Sequence, residues 1–122
     1  MRTVLKSLVA AALLAAPTAS YAENAGGWAS YRASTNSTVQ SCVNAAKQSF
    51  QRFDVQPGQN KNTIWFQASS GIYLQIWCLR DEVQGLTLGI LSIAVSNSRD
   101  EASWDRANKM HDAIYDAFSE IW

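Results

Sequence analysis

Two runs of alternating residues, separated by three small ones, constrain this chain more than any other feature. Thr63-Ile64-Trp65-Phe66-Gln67-Ala68 sets Ile64, Phe66 and Ala68 on one side. Ile72-Tyr73-Leu74-Gln75-Ile76-Trp77-Cys78 sets Ile72, Leu74, Ile76 and Cys78 together in the same way. Side chains alternate across a strand, so each run has one apolar face and one mixed face. Ser69-Ser70-Gly71 suits a three-residue hairpin loop whose last position takes a left-handed glycine. That loop pairs Phe66 with Leu74 and Ile64 with Ile76, and the apolar faces coincide. A two-residue loop would set Phe66 opposite Tyr73 and turn the faces against each other. The three-residue register is the one expected.

A third run, Leu86 to Val95, follows the polar turn Asp81-Glu82-Val83-Gln84-Gly85. Its pattern slips near Gly89, with Leu86, Leu88 and Ile90 on one parity and Leu91, Ile93 and Val95 on the other. This predicts a central strand with two apolar sides, with a possible bulge at the slip. Two helices flank the runs. Residues Ser37 to about Phe53 carry one stripe through Val39, Cys42, Val43, Ala46, Phe50 and Phe53, and Ser37-Thr38-Val39-Gln40 fits a capping box. Pro57-Gly58 stops that helix. After a second capping box, Ser98-Arg99-Asp100-Glu101, the stripe Trp104, Ala107, Met110, His111, Ile114, Phe118, Ile121 faces inward. Asp105, Asp112, Asp116 and Glu120 lie on the solvated side, the ordinary polar face of an amphipathic helix. The expected fold is a two-layer α+β sandwich. It has a three- or four-stranded antiparallel sheet, two helices on one face, and the order (β)-α-β-β-β-α.

The N-terminus reads as an address. Arg2 and Lys6 precede the apolar run Leu8 to Ala16, Pro17 breaks it, and Ser20-Tyr21-Ala22 offers small residues at the −3 and −1 positions of a cleavage site. We expect a secretory signal peptide over residues 1–22 and a single mature domain over 23–122, exported to a periplasm or beyond the cell. The apolar run is about half the roughly 20 residues needed to span a bilayer, so no membrane anchor is expected after cleavage. The whole chain has ten basic and ten acidic residues, and losing Arg2 and Lys6 leaves eight against ten. A mildly acidic domain has no electrostatic footprint for nucleic acid. Cys42 and Cys78 fall on the two inner stripes, and export permits oxidation, so they are expected to form a disulfide.

Candidate chemistry is sparse. One histidine and two cysteines cannot build the common Cys/His zinc sites, and neither a phosphate loop nor a calcium loop is present, so no metal or cofactor is expected. His111 flanks an apolar stripe, where a partly buried imidazole bonded to a backbone carbonyl is the ordinary arrangement. Asp112 should point about 100° round the helix from it. No nucleophile-elbow motif accompanies them, and no catalytic residues are assigned. Ser70-Gly71-Ile72-Tyr73 falls one residue short of the Ser-Gly-x-x-Tyr motif of periplasmic lysozyme inhibitors, which are barrels without a C-terminal helix, so no family follows.

The aromatic face is what rises above this background. If Ile64, Phe66, Leu74 and Ile76 face the helices, Trp65, Tyr73 and Trp77 face away, interleaved with Gln67 and Gln75. Trp65 should lie opposite Gln75, Tyr73 opposite Gln67, and Trp77 opposite Thr63. Large aromatic patches mark interaction sites. The expected function is a small exported protein-interaction module, with an inhibitor as a special case, that binds an unknown protein partner or a second copy through this face. A small apolar or sugar-like ligand is the alternative, and a hydrolase-type enzyme the second. A competing arrangement lays the N-terminal segment, with Trp28 and Tyr31, across or beside the sheet.

Overall fold

The computed structural model describes residues 25–68 and 70–122. The elements run β1 (Gly26–Ser34), α1 (Val39–Gln51), β2 (Gly58–Asn60), β3 (Thr63–Ala68), β4 (Ile72–Asp81), β5 (Leu86–Val95) and α2 (Glu101–Ile121). The expected leader, residues 1–22, lies outside the described residues, together with Glu23 and Asn24.

The hairpin forms in the expected register. Phe66 pairs with Leu74 and Ile64 with Ile76, and Gly71 takes the left-handed conformation at φ 83°. The fold is the expected α+β arrangement, with five strands rather than three or four, in the spatial order β1-β5-β4-β3-β2 and antiparallel throughout. β1 is the optional first strand and forms an edge of the sheet itself, so Trp28 and Tyr31 do not lie over the aromatic face. β2 was not anticipated. Its three residues follow Pro57 and join β3 through a tight turn at Lys61, which holds φ 57° without the usual glycine.

β5 is an interior strand without a bulge, but it is not buried on both sides: only its odd-numbered side chains are covered by the helices, and Leu86, Leu88 and Ile90 lie on the uncovered outer face. It pairs without interruption with both neighbours, Gly89 opposite Arg32 on one side and Cys78 on the other. The slip in its pattern has a packing cause. Gly89 sits on the inner face beneath Phe118 and Cys42, where a Cβ would lie 2.7 Å from the Phe118 ring and 3.2 Å from the sulfur. An apolar side chain is missing there because the ring occupies its place.

Both helices cover the inner face. Cys42, Val43, Ala46 and Phe50 of α1 and Ala107, Ile114, Ala117 and Phe118 of α2 close over Ile64, Ile72, Leu74, Ile76, Leu91, Ile93 and Val95. The expected disulfide joins Cys42 to Cys78 across this interface, with Cα atoms 6.0 Å apart, inside the usual range. Each helix starts later than its capping box implied. Thr38, not Ser37, caps α1, its hydroxyl accepting from the Ser41 N–H at 3.0 Å. Ser37 is engaged elsewhere, its carbonyl accepting from the buried Thr87 hydroxyl at 2.6 Å. Asp100 stands at the N-cap of α2 in place of Ser98.

Candidate functional site

Alternation along the strands puts the five expected site residues on the outer face, away from both helices. Trp65 lies opposite Gln75, Tyr73 opposite Gln67, and Trp77 opposite Thr63. The Trp65 and Tyr73 rings stack with centroids 6.2 Å apart, and the Tyr73 hydroxyl donates to Gln75 Oε1 at 3.0 Å. Partial burial raises the Tyr73 pKa. Gly58 of β2 lies directly under the Trp65 indole, leaving no room for a side chain between them. The edge strand thus supports that ring without covering the face.

The register extends the surface beyond the hairpin. Tyr31, Ile90, Trp77 and Thr63 form one row across four strands. The next row runs Ala29, Ser92, Gln75, Trp65, and on the other side lie Ala33, Leu88 and Leu79. Tyr31 is 67% exposed, Trp77 47% and Trp65 37%, so the described residues leave this face open. Asp81, at the end of β4, is its only carboxylate among the strand residues, and no lysine or arginine joins it. A shallow groove of about 440 Å³ runs beside Tyr31 over Leu86, Leu88 and Ile90. Tyr31, Leu79, Leu88 and Ile90 were not singled out from sequence. The signal for two of them was the Leu86-Leu88-Ile90 parity, whose apolar side chains face outward here.

His111 departs from the expected arrangement. It is buried, and its partners are side chains rather than a backbone carbonyl. Nε2 and the Ser30 hydroxyl lie 2.7 Å apart, and Nδ1 lies 3.0 Å from Asp112 Oδ1. The Asp112 carboxylate folds back toward the ring instead of pointing away round the helix. A carboxylate only accepts, so Nδ1 donates to Asp112, and the Ser30 hydroxyl can either donate to Nε2 or accept from it. The connectivity is that of a Ser-His-Asp relay, but its setting is that of a strut. The ring is 5% exposed, Trp28 packs on it at 3.9 Å and Tyr115 stacks at 5.7 Å. Ser30 sits in the middle of a regular strand, without the sharp turn that presents a nucleophile. The cluster fastens β1 to α2, and so holds Tyr31 in the outer row.

No protein-family model, curated protein or solved structure matches this chain. The site therefore has to be judged on its own chemistry. No helix among the described residues is long and apolar enough to cross a membrane.

Proposed function

We propose that this chain is an exported protein-interaction module that binds an uncharged, apolar surface of a partner protein through its outer sheet face. The observation that carries the reading is the open row Tyr31-Ile90-Trp77, continued by Trp65 and Tyr73 and almost free of charge. Aromatic anchors on a rigid sheet supply large contact area at little entropic cost, and such residues dominate interface energies. The glutamines and serine between the rings provide hydrogen bonds at fixed positions. The leader-like segment at residues 1–22 and the disulfide support export. Binding through so uncharged a face should respond weakly to salt.

The test is site-specific photo-crosslinking in the exporting cell. A photoreactive phenylalanine analogue at Trp77 should give a protein adduct that survives high salt, while the same group at Lys109 on α2 should not. Equal adducts from both positions, or none from Trp77, would refute the outer face as the docking surface. Mass spectrometry of the exported protein should find Glu23 at its N-terminus. A small ligand is the second reading, favoured by the groove beside Tyr31, whose volume falls within the ordinary range for ligand sites. It would show as quenching of Trp77 fluorescence by an apolar or sugar-like compound, abolished by Tyr31→Ser.

A further inference from the structure

The sheet has two edges, and they are built differently. At one, β2 is three residues long, follows Pro57 and ends at Lys61, the usual devices that stop another chain from pairing. At the other, β1 runs nine residues in unbroken register with β5, with no proline, lysine or bulge. The direction of its free backbone groups follows from the ladder. Ser96 N–H donates to the Gly71 carbonyl at 2.9 Å, so the even-numbered residues of β5 bond to β4 and the odd-numbered ones to β1. Within β1 the even-numbered residues are therefore satisfied by β5. Gly27, Ala29, Tyr31 and Ala33 turn their N–H and C=O to the open edge. The Tyr115 hydroxyl agrees, reaching that edge to donate to the Tyr31 carbonyl at 3.4 Å, a long contact that a pairing strand would displace.

We propose that β1 pairs antiparallel with β1 of a second copy about a two-fold axis at Ser30, joining two sheets into one. Ser30 is the middle residue of the strand, so this register uses its full length. Tyr31 then exchanges hydrogen bonds with the partner's Ala29, and Gly27 with the partner's Ala33, giving about eight backbone bonds. The side chains are self-complementary in the same register. On the outer face each exposed Tyr31 ring lies over the partner's Ala29, a large residue against a small one. On the inner face Arg32 comes opposite the partner's Trp28, a cation beside an aromatic ring. Arg32 Nε is buried without a hydrogen-bond partner among the described residues. The chain's own N-terminus is a poor competitor for the edge. With a leader removed after Ala22, as proposed above, only Glu23, Asn24 and Ala25 precede β1. Three residues cannot double back along nine. The dimer would carry both aromatic faces on one side of a continuous sheet, so a partner could engage two sites at once.

Sedimentation velocity on the chain expressed from its full sequence, as its host processes it, tests this. The expected result is a dimer, with Ala29→Pro weakening association about thirtyfold or more, since two bonds of ordinary net strength are lost per dimer. Proline fits there because the Ala29 N–H faces away from β5. Tyr31→Lys, at an exposed position, should also give monomers with unchanged circular dichroism, which guards against misfolding of the proline variant. A wild-type monomer at about 100 µM, or dimers that survive both edge variants, would overturn the proposal. So would loss of the dimer in Trp65→Ser/Trp77→Ser but not in Ala29→Pro, which would place the contact on the outer face. Failure of photo-crosslinking at Trp77 would leave the edge dimer untouched, so the two readings can fail separately.

Discussion

Replacing Gly89 with alanine adds one methyl group at the point where strand, helix and disulfide meet. Unlike Gly71 and Gly85, Gly89 does not have a positive φ, so its backbone would accept alanine without strain. The obstacle is space. The new Cβ would stand 2.7 and 2.8 Å from two atoms of the Phe118 ring, against an optimum of about 3.5–4.0 Å between carbons. The ring is fully buried and stacked on Trp122 at 5.3 Å, so it cannot swing aside freely. Overpacking of this kind costs about 1–3 kcal/mol, offset by ~0.5–1 kcal/mol because alanine has less freedom than glycine to lose on folding. The net expectation is a destabilisation of about 1–2 kcal/mol. Phe118→Leu alone should cost about 1–2 kcal/mol through the space it leaves. If ring and methyl compete for the same volume, the double variant should be more stable than the sum of the two by at least ~1 kcal/mol. Urea unfolding followed by tryptophan fluorescence, with the disulfide intact and equal m values across the set, would measure this. Additivity within about 0.5 kcal/mol, or a neutral Gly89→Ala, would refute the packing account of the break in the β5 pattern.

Removing the disulfide with Cys42→Ala/Cys78→Ala opens a link between residues 36 apart, and should cost about 4 kcal/mol in the chain-entropy model, seen as a large drop in the urea midpoint. Ser30→Ala leaves the buried His111 Nε2 without its hydrogen-bond partner, for about 1–3 kcal/mol, and amide exchange should quicken in β1 before β4. Equal acceleration in both strands would show that the cluster is no local strut. Asp100, at the start of α2, has its pKa lowered, first by the Ser103 hydroxyl that donates to it at 2.6 Å. A depressed folded pKa gives stability that is present above the unfolded value and lost as pH falls through the folded one. Acid titration below about pH 4 should therefore weaken the wild type more than Ser103→Ala, and identical pH profiles would count against the contact.

What could be read from sequence divides by the range of the interactions. The hairpin register was legible because loop length and alternation agree within sixteen residues of chain, and a one-residue slip would have exposed Ile64 and Ile76. That same alternation placed Trp65, Tyr73, Trp77, Gln67 and Gln75 on one face. Cys42 and Cys78 were legible as partners because each lay on an inner stripe. β2 was not, since three residues are too few to show a period and Lys61 makes a turn that glycine usually signals. The choice of Thr38 over Ser37 as cap depends on Thr87, which is 50 residues from Ser37 in the chain. The Ser30–His111 contact spans 81 residues, with no local pattern to announce it. Tyr31 entered the site only because β1 pairs with β5, a choice made by the sheet as a whole.

On the reading proposed above, the two faces of the sheet would divide folding from recognition. Every fully buried strand side chain points to the helices, where Phe50 and Phe118 and the disulfide close the layer. The outer rings contribute less, because Tyr31 remains largely in water and Trp77 about half so. Substitutions there can therefore change binding with small effects on stability, as they could not on the inner face. The outer surface is also not a continuous apolar sheet. Ser92, Gln75, Gln67 and Thr63 sit between the rings, so its apolar area is broken into islands that water can still wet. Islands of this kind favour reversible docking against a matched surface over indiscriminate association. The edge follows the same logic. One side of the sheet is blunted by a short strand between Pro57 and Lys61, and the other is left long, regular and held by the Ser30–His111–Asp112 strut. If the proposed pairing holds, the blunted edge limits growth of the sheet to the β1 side.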